Sequence, residues 1–184
     1  IPQGAVDKVF DHITPLYRRW IETSRFVLLS TVGPEGTDAS PRGDSDEAVR
    51  LVDPKTVWLP DWRGNHRLDS LKNIVRDGRV SLLFMVPGSD NVVRINGSAV
   101  LTADGEITGQ FQRQGKLPQT VVVITVGEIY FQCAKALMRS RLWTSRDESA
   151  ALPTAGEFLK EGMPGLDARA YDDNYETRAK EQLW

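Results

Sequence analysis

The chain has 184 residues, of which 40% are apolar and 26% charged; that is enough for one packed domain and excludes a disordered or low-complexity protein. A net charge of -2 gives no overall attraction to nucleic acid or anionic lipid, so only local basic pockets remain to be considered. The single cysteine, Cys133, excludes an internal disulfide and a cysteine-rich zinc site, and no apolar run approaches the roughly 20 residues that span a bilayer. A reducing, cytoplasmic setting is the expectation.

In chain order, Val6, Phe10, Ile13, Leu16, Tyr17, Trp20 and Ile21 recur at spacings of three and four, which predicts an amphipathic helix over residues 5–24. Pro15 removes a backbone donor inside that pattern, so the segment is expected as two short helices or one kinked one. Six strands follow: Arg25 to Val32, Thr37 to Pro41, Thr56 to Pro60, Arg79 to Val86, Asn91 to Thr102 and Thr120 to Val126. A Gly-Pro-Glu-Gly turn separates the first two. Val80 to Val86 and Val121 to Val126 are continuous apolar runs, as in strands buried on both faces, whereas Val93-Arg94-Ile95-Asn96 alternates.

Three helices are predicted among and after these strands. Asn65 to Asp77 places Leu68, Leu71, Ile74 and Val75 on one face. Asp104 to Gln114 is a weaker pattern, and Glu128 to Leu142 is a stronger one, through Tyr130 or Phe131, Ala134, Leu137 and Met138. Helices too few to separate every pair of strands argue against a doubly wound parallel sheet. The expected fold is mainly β with helices (α+β): an antiparallel, Greek-key-like split β-barrel with helical insertions. One domain is expected over residues 1–184, with the barrel at 25–126 and a C-terminal helix and tail at 127–184. In that tail, Thr154 and Glu157 have the spacing of a capping box.

Three segments carry candidate chemistry. Ser40-Pro41-Arg42-Gly43-Asp44-Ser45 ends a strand and unites hydroxyls, a guanidinium and a glycine, a set suited to an anion or to a solvated turn with an internal Arg–Asp pair. Trp62 to Ser70 crosses from a strand end to a helix start, where free N–H groups would join Arg63, Arg67, His66 and Ser70 as a phosphate cradle; an ordinary cap by Asn65 is the competing reading. Lys135, Arg139 and Trp143 share a face at spacings of four and suit a phosphate and a flat ring, or cations at a helix end with a packed indole. His12 and His66 lack metal-site spacing, Cys133 in its apolar stretch is expected to be an inert buried thiol, and no G-x-S-x-G, G-x-G-x-x-G or Walker pattern is present.

The order of these motifs resembles the pyridoxamine 5'-phosphate oxidase-like FMN-binding family. The residues that carry the resemblance are Phe26 to Thr31, the turn to Gly36, Ser40-Pro41-Arg42-Gly43-Asp44, Val57 to Asp61, the Gly-Asn-x-Arg-x-Asp-Ser-Leu-x-Asn-Ile helix, Val80 to Phe84 and Val93 to Gly97. It covers roughly residues 25 to 143 and is nearest to a bacterial branch of unassigned substrate, in which Cys-x-Lys-Ala-x-x-Arg-Ser-x-Leu-Trp also recurs. The resemblance implies a homodimer with flavin mononucleotide (FMN) at the subunit interface. It assigns Ser40, Pro41, Arg42, Gly43, Asp44 and Ser45 to the segment along the flavin, Leu59 and Pro60 beside it, Asn65, His66 and Arg67 to the phosphate turn, and Lys135, Arg139, Ser140 and Trp143 to a segment approaching the cofactor.

Two departures stand out. The pyridoxamine phosphate oxidases carry Arg-Lys in the phosphate turn where this chain has Asn65-His66, and their C-terminal substrate pattern is not recognisable here. The expectation is therefore an FMN-dependent oxidoreductase of another substrate. The alternatives are a non-catalytic flavin carrier or sensor, and a split barrel that binds another ligand such as haem or a deazaflavin.

Overall fold

The computed structural model describes residues 2–64, 67–145 and 147–184, with the side chain of residue 5 left aside. The chain forms two compact units, residues 1–143 and 144–184, where the sequence suggested one domain over its whole length.

The first unit is built on a seven-stranded sheet whose neighbouring strands are all antiparallel. Its strands are β1 (Phe26–Gly33), β2 (Gly36–Gly43), β3 (Arg50–Asp53), β4 (Thr56–Asp61), β5 (Arg79–Met85), β6 (Val92–Thr102) and β7 (Thr120–Gln132), in the spatial order β2-β1-β5-β6-β7-β4-β3. Alternation decides the inner face: Val27 and Leu29 of β1, Val80, Leu82 and Phe84 of β5, Val93 and Ile95 of β6, and Val122 and Ile124 of β7 are buried in one core. The two longest strands, β6 and β7, are bent where they pair. At Asn96/Gly97 the β6–β7 register shifts in a bulge, and a Cβ at Gly97 would run into the Thr125 carbonyl, so only glycine allows the local bend. This is the split barrel with helical insertions that the sequence predicts.

Several boundaries differ from the sequence reading, each for a physical reason. β3 was not read as a strand, because its four residues are half-buried or exposed and lack an apolar run. Glu128–Gln132 continues β7 instead of opening a helix: Ile129 is fully buried opposite Ile95, so pairing with β6 overrides the helical spacing. Only Lys135–Ser140 is helical in that region (α5), and it buries no residue. The expected N-terminal helix divides into α1 (Gln3–Val6) and α2 (Pro15–Thr23), with Pro15 at the start of α2, where its missing donor costs nothing. Between them Phe10 bridges to Ile129. The Tyr17 hydroxyl donates to the Lys8 carbonyl at 3.0 Å and accepts from the Phe131 N–H at 3.1 Å; burial pushes that phenol up.

Helix α3 (Asp69–Arg76) begins four residues later than the sequence suggests, because Leu68 before it has φ 60° in the left-handed region. A short α4 (Gly105–Thr108) and a 3-10 turn (Gly109–Phe111) precede β7. The second unit carries α6 (Ala155–Gly162), α7 (Ala168–Asp173) and α8 (Tyr175–Glu181), with the capping box at Thr154 and Glu157 present as read from sequence. Asp172 accepts from the Gly156 N–H at 2.8 Å and from the Thr154 hydroxyl, fixing α7 against the start of α6. Among the described residues no helix is long and apolar enough to cross a membrane.

Candidate functional site

The β1–β2 register sets Asp38, Ser40 and Arg42 opposite Thr31, Leu29 and Val27. These three β2 side chains therefore turn toward the inner face of the barrel and are half-buried, while Pro41 and Gly43 are exposed. A polar row on an inner face is costly unless each group finds a partner. Asp38 accepts from the hydroxyl of Ser70, which is 3% exposed in the first turn of α3. Arg42 donates from Nη1 to Asp61 Oδ1 at 2.5 Å, with the two side chains 18% and 16% exposed.

That ion pair joins β2, at one edge of the sheet order, to the end of β4, beside the other edge. It also joins two candidate segments, the 40–45 loop and the turn that starts after Asp61. The pairing leaves work undone: Arg42 Nε is buried and without a hydrogen-bond partner among the described residues. A guanidinium with one arm on a carboxylate and another donor unsatisfied is poised for a further acceptor.

Asp44 belongs to the architecture of the loop. Its carboxylate is 2% exposed, accepts from Arg113 Nε at 3.3 Å and turns the chain by accepting from the Asp46 N–H at 3.3 Å. Ser45 donates to the same carboxylate. Leu59 is 2% exposed in the core and Pro60 is buried beside it, so these two shape the wall of the barrel. Arg67 lies exposed next to α3, with Nε on Asp69 at 2.8 Å. Asn65 and His66, the other two residues expected in the phosphate turn, lie outside the described residues.

The third candidate segment has a different character. Lys135, Arg139 and Ser140 are exposed on α5, and the Ser140 hydroxyl donates to the Leu137 carbonyl at 3.0 Å. Trp143 is half-buried and donates from its indole to the Ser89 carbonyl at 2.7 Å, tying the segment to the β5–β6 turn. Cys133, expected as a buried thiol, is exposed where β7 ends.

Sequence reasoning missed four partners of the site: Asp61, Asp38, Thr31 and Asn73. The clue for Asp61 was a carboxylate ending an otherwise apolar strand, Val57 to Asp61. Asn73 had no clue, since its Nδ2 donates to the Thr31 hydroxyl at 3.1 Å across 42 residues of sequence. A second basic cluster also went unread. On the outer face, Arg94 and Lys8 both stand over the Tyr130 ring, 6.0 and 5.8 Å from its centroid, and Arg94 Nε is buried without a partner among the described residues.

The family model described as pyridoxamine 5'-phosphate oxidase matches residues 13–133. Among solved structures, a variant of HupZ from Group A Streptococcus superposes with a TM-score of 0.53 at 22% identity, covering 65% of this chain and 99% of its own. A Lactobacillus delbrueckii protein named for the same oxidase superposes with a TM-score of 0.53 at 20% identity, covering 66% and 95%. At these identities the two show a shared fold. No curated protein matches the sequence closely enough to count as a relative.

Proposed function

The chain belongs to the pyridoxamine 5'-phosphate oxidase family, and from that premise we propose that it is an FMN-binding flavoprotein, a homodimer with the cofactor at the subunit interface, acting as an FMN-dependent oxidoreductase. The observation that carries the reading is the state of Arg42: turned inward, held by Asp61, and left with a buried, unsatisfied Nε–H. A phosphate or a flavin carbonyl oxygen would satisfy that donor. Arg67 and the start of α3 supply the anion site for the phosphate, because first-turn N–H groups and a nearby guanidinium both favour phosphate.

Bound FMN supplies the electron-transfer chemistry, while the protein anchors and orients it. Arg67 holds the phosphate end; Ser40, Pro41 and Arg42 line the strand beside the ring; Leu59 and Pro60 form the apolar wall; Lys135, Arg139 and Trp143 approach from α5 and the loop after it. The C-terminal substrate pattern of the pyridoxamine phosphate oxidases is not recognisable in this chain, which supports a different substrate.

The homodimer reading has its own support. Leu28, Leu83, Arg94 and Tyr130 are opposed in register across β1, β5, β6 and β7 and form a half-buried row on the outer face. Two cations in that region, Arg94 and Lys8, have no carboxylate within ion-pair distance among the described residues, and a partner subunit would supply the missing acceptor.

Replacing Arg42 and Arg67 together by alanine tests the assignment. Retention of FMN is expected to weaken by at least about tenfold in a protein that still shows a cooperative thermal transition. Unchanged retention would sink the assignment of both residues to the FMN site.

A further inference from the structure

One face of α3 carries three polar residues at a spacing of three, Ser70, Asn73 and Arg76, and each is bonded to the β1–β2 hairpin. Ser70 donates to Asp38 near the start of β2. Asn73 donates to the Thr31 hydroxyl of β1 at 3.1 Å. Arg76 donates to Glu35 in the turn at 2.7 Å. Ser70, Asn73 and Thr31 are buried, at 3%, 9% and 4% exposure, whereas the Arg76–Glu35 pair is on the surface, at 44% and 77%. The hairpin packs so tightly there that a Cβ at Gly33 would land on the Asn73 amide.

We propose that this buried polar zipper, Ser70–Asp38 and Asn73–Thr31, consists of positioning residues that set how strongly the protein prefers a phosphorylated flavin. The proposal rests on the FMN reading given above. The candidate phosphate donors lie at the start of α3, and the candidate ring contacts lie on β2 at Ser40 and Arg42. The distance between the two ends of the cofactor site is therefore the distance between α3 and β2, and Ser70–Asp38 is the bond that spans it.

Hydrophobic packing of Ile74 holds α3 to the core but does not fix its rotation or its sliding along the sheet, because dispersion and burial are not directional. Hydrogen bonds between buried groups do fix both, and a buried donor cannot exchange its partner for water without cost. The phosphate end of the site is thus held in register with the ring end before any ligand arrives, which lowers the ordering cost of binding. Loss of Ser70–Asp38 frees α3 at its first turn, so the penalty falls on the phosphate and spares the ring.

Titrating flavin-free protein with FMN and with riboflavin, following fluorescence quenching, reads this directly. The unaltered protein is expected to prefer FMN. Ser70→Ala is expected to weaken FMN binding about five- to tenfold, the weight of one buried hydrogen bond, while riboflavin binding stays within about twofold. Ser70→Thr, which keeps the hydroxyl, restores the preference. Thr31→Val, nearly isosteric, is expected to move the ratio in the same direction and provides the test should Ser70→Ala fail to fold. An equal loss for both flavins, or no loss, overturns the positioning role while leaving the FMN reading intact. An unaltered protein that binds both flavins equally overturns the phosphate reading, and this inference with it.

Discussion

Helix α3, which follows Arg67, and helix α5, which carries Lys135 and Arg139, stand beside the two clusters that the sequence offered as a phosphate site, and the fold treats the two helices in opposite ways. The α3 helix is seated by Ile74 in the core and by hydrogen bonds from Ser70 and Asn73 to the β1–β2 hairpin. The α5 helix buries none of its six residues, and its cations Lys135 and Arg139 point to solvent. Its connection to the sheet is through the Trp143 indole on the Ser89 carbonyl. On the proposed FMN reading, the contrast is between an anchor already fixed to the hairpin and a cover that would gain its contacts on binding. Preorganised groups lose little entropy on binding, while exposed lysine and arginine side chains lose more.

The contrast breaks most visibly at Gly33. Gly33→Ala puts a methyl group onto the Asn73 amide, and overpacking of this kind is expected to cost roughly 1–3 kcal/mol, read as a lowered midpoint in thermal or urea unfolding. If the midpoint does not move, α3 yields easily and is not the rigid partner described. At the other end of the scale, replacing Lys135 and Arg139 together by alanine is expected to leave the unfolding midpoint within about 0.5 kcal/mol of the original, since both are exposed. The same variant is expected to weaken FMN binding by about two- to fivefold. A stability loss comparable to that of Gly33→Ala would mean that α5 is part of the scaffold.

The sheet was largely legible in the sequence, and the reason is periodicity. Phe26 to Gly33, Arg79 to Met85 and Val92 to Thr102 alternate or run apolar over lengths that suit strands. What escaped was decided by tertiary pairing. Glu128 to Gln132 fits a helical spacing as well as a strand, and only burial of Ile129 opposite Ile95 selects the strand. Likewise β3 exists because β4 is there to pair with. The candidate site divides in the same manner. Arg42 was visible as a guanidinium in a glycine-containing loop, but its inward direction follows from register with Val27, and its partner Asp61 from curvature of the whole sheet. Ser70 was visible as a donor near a helix start, but Asp38, 32 residues earlier, was not. Contacts of this range leave no local trace in a single sequence.

The proposed FMN site is one that a second subunit completes. Titration of the purified protein with FMN, following flavin absorbance and fluorescence together with native mass, tests it most directly. Saturation at one FMN per subunit in a dimer is expected, with Arg42 and Arg67 required for retention. A protein that stays colourless and monomeric after incubation with micromolar FMN would contradict it.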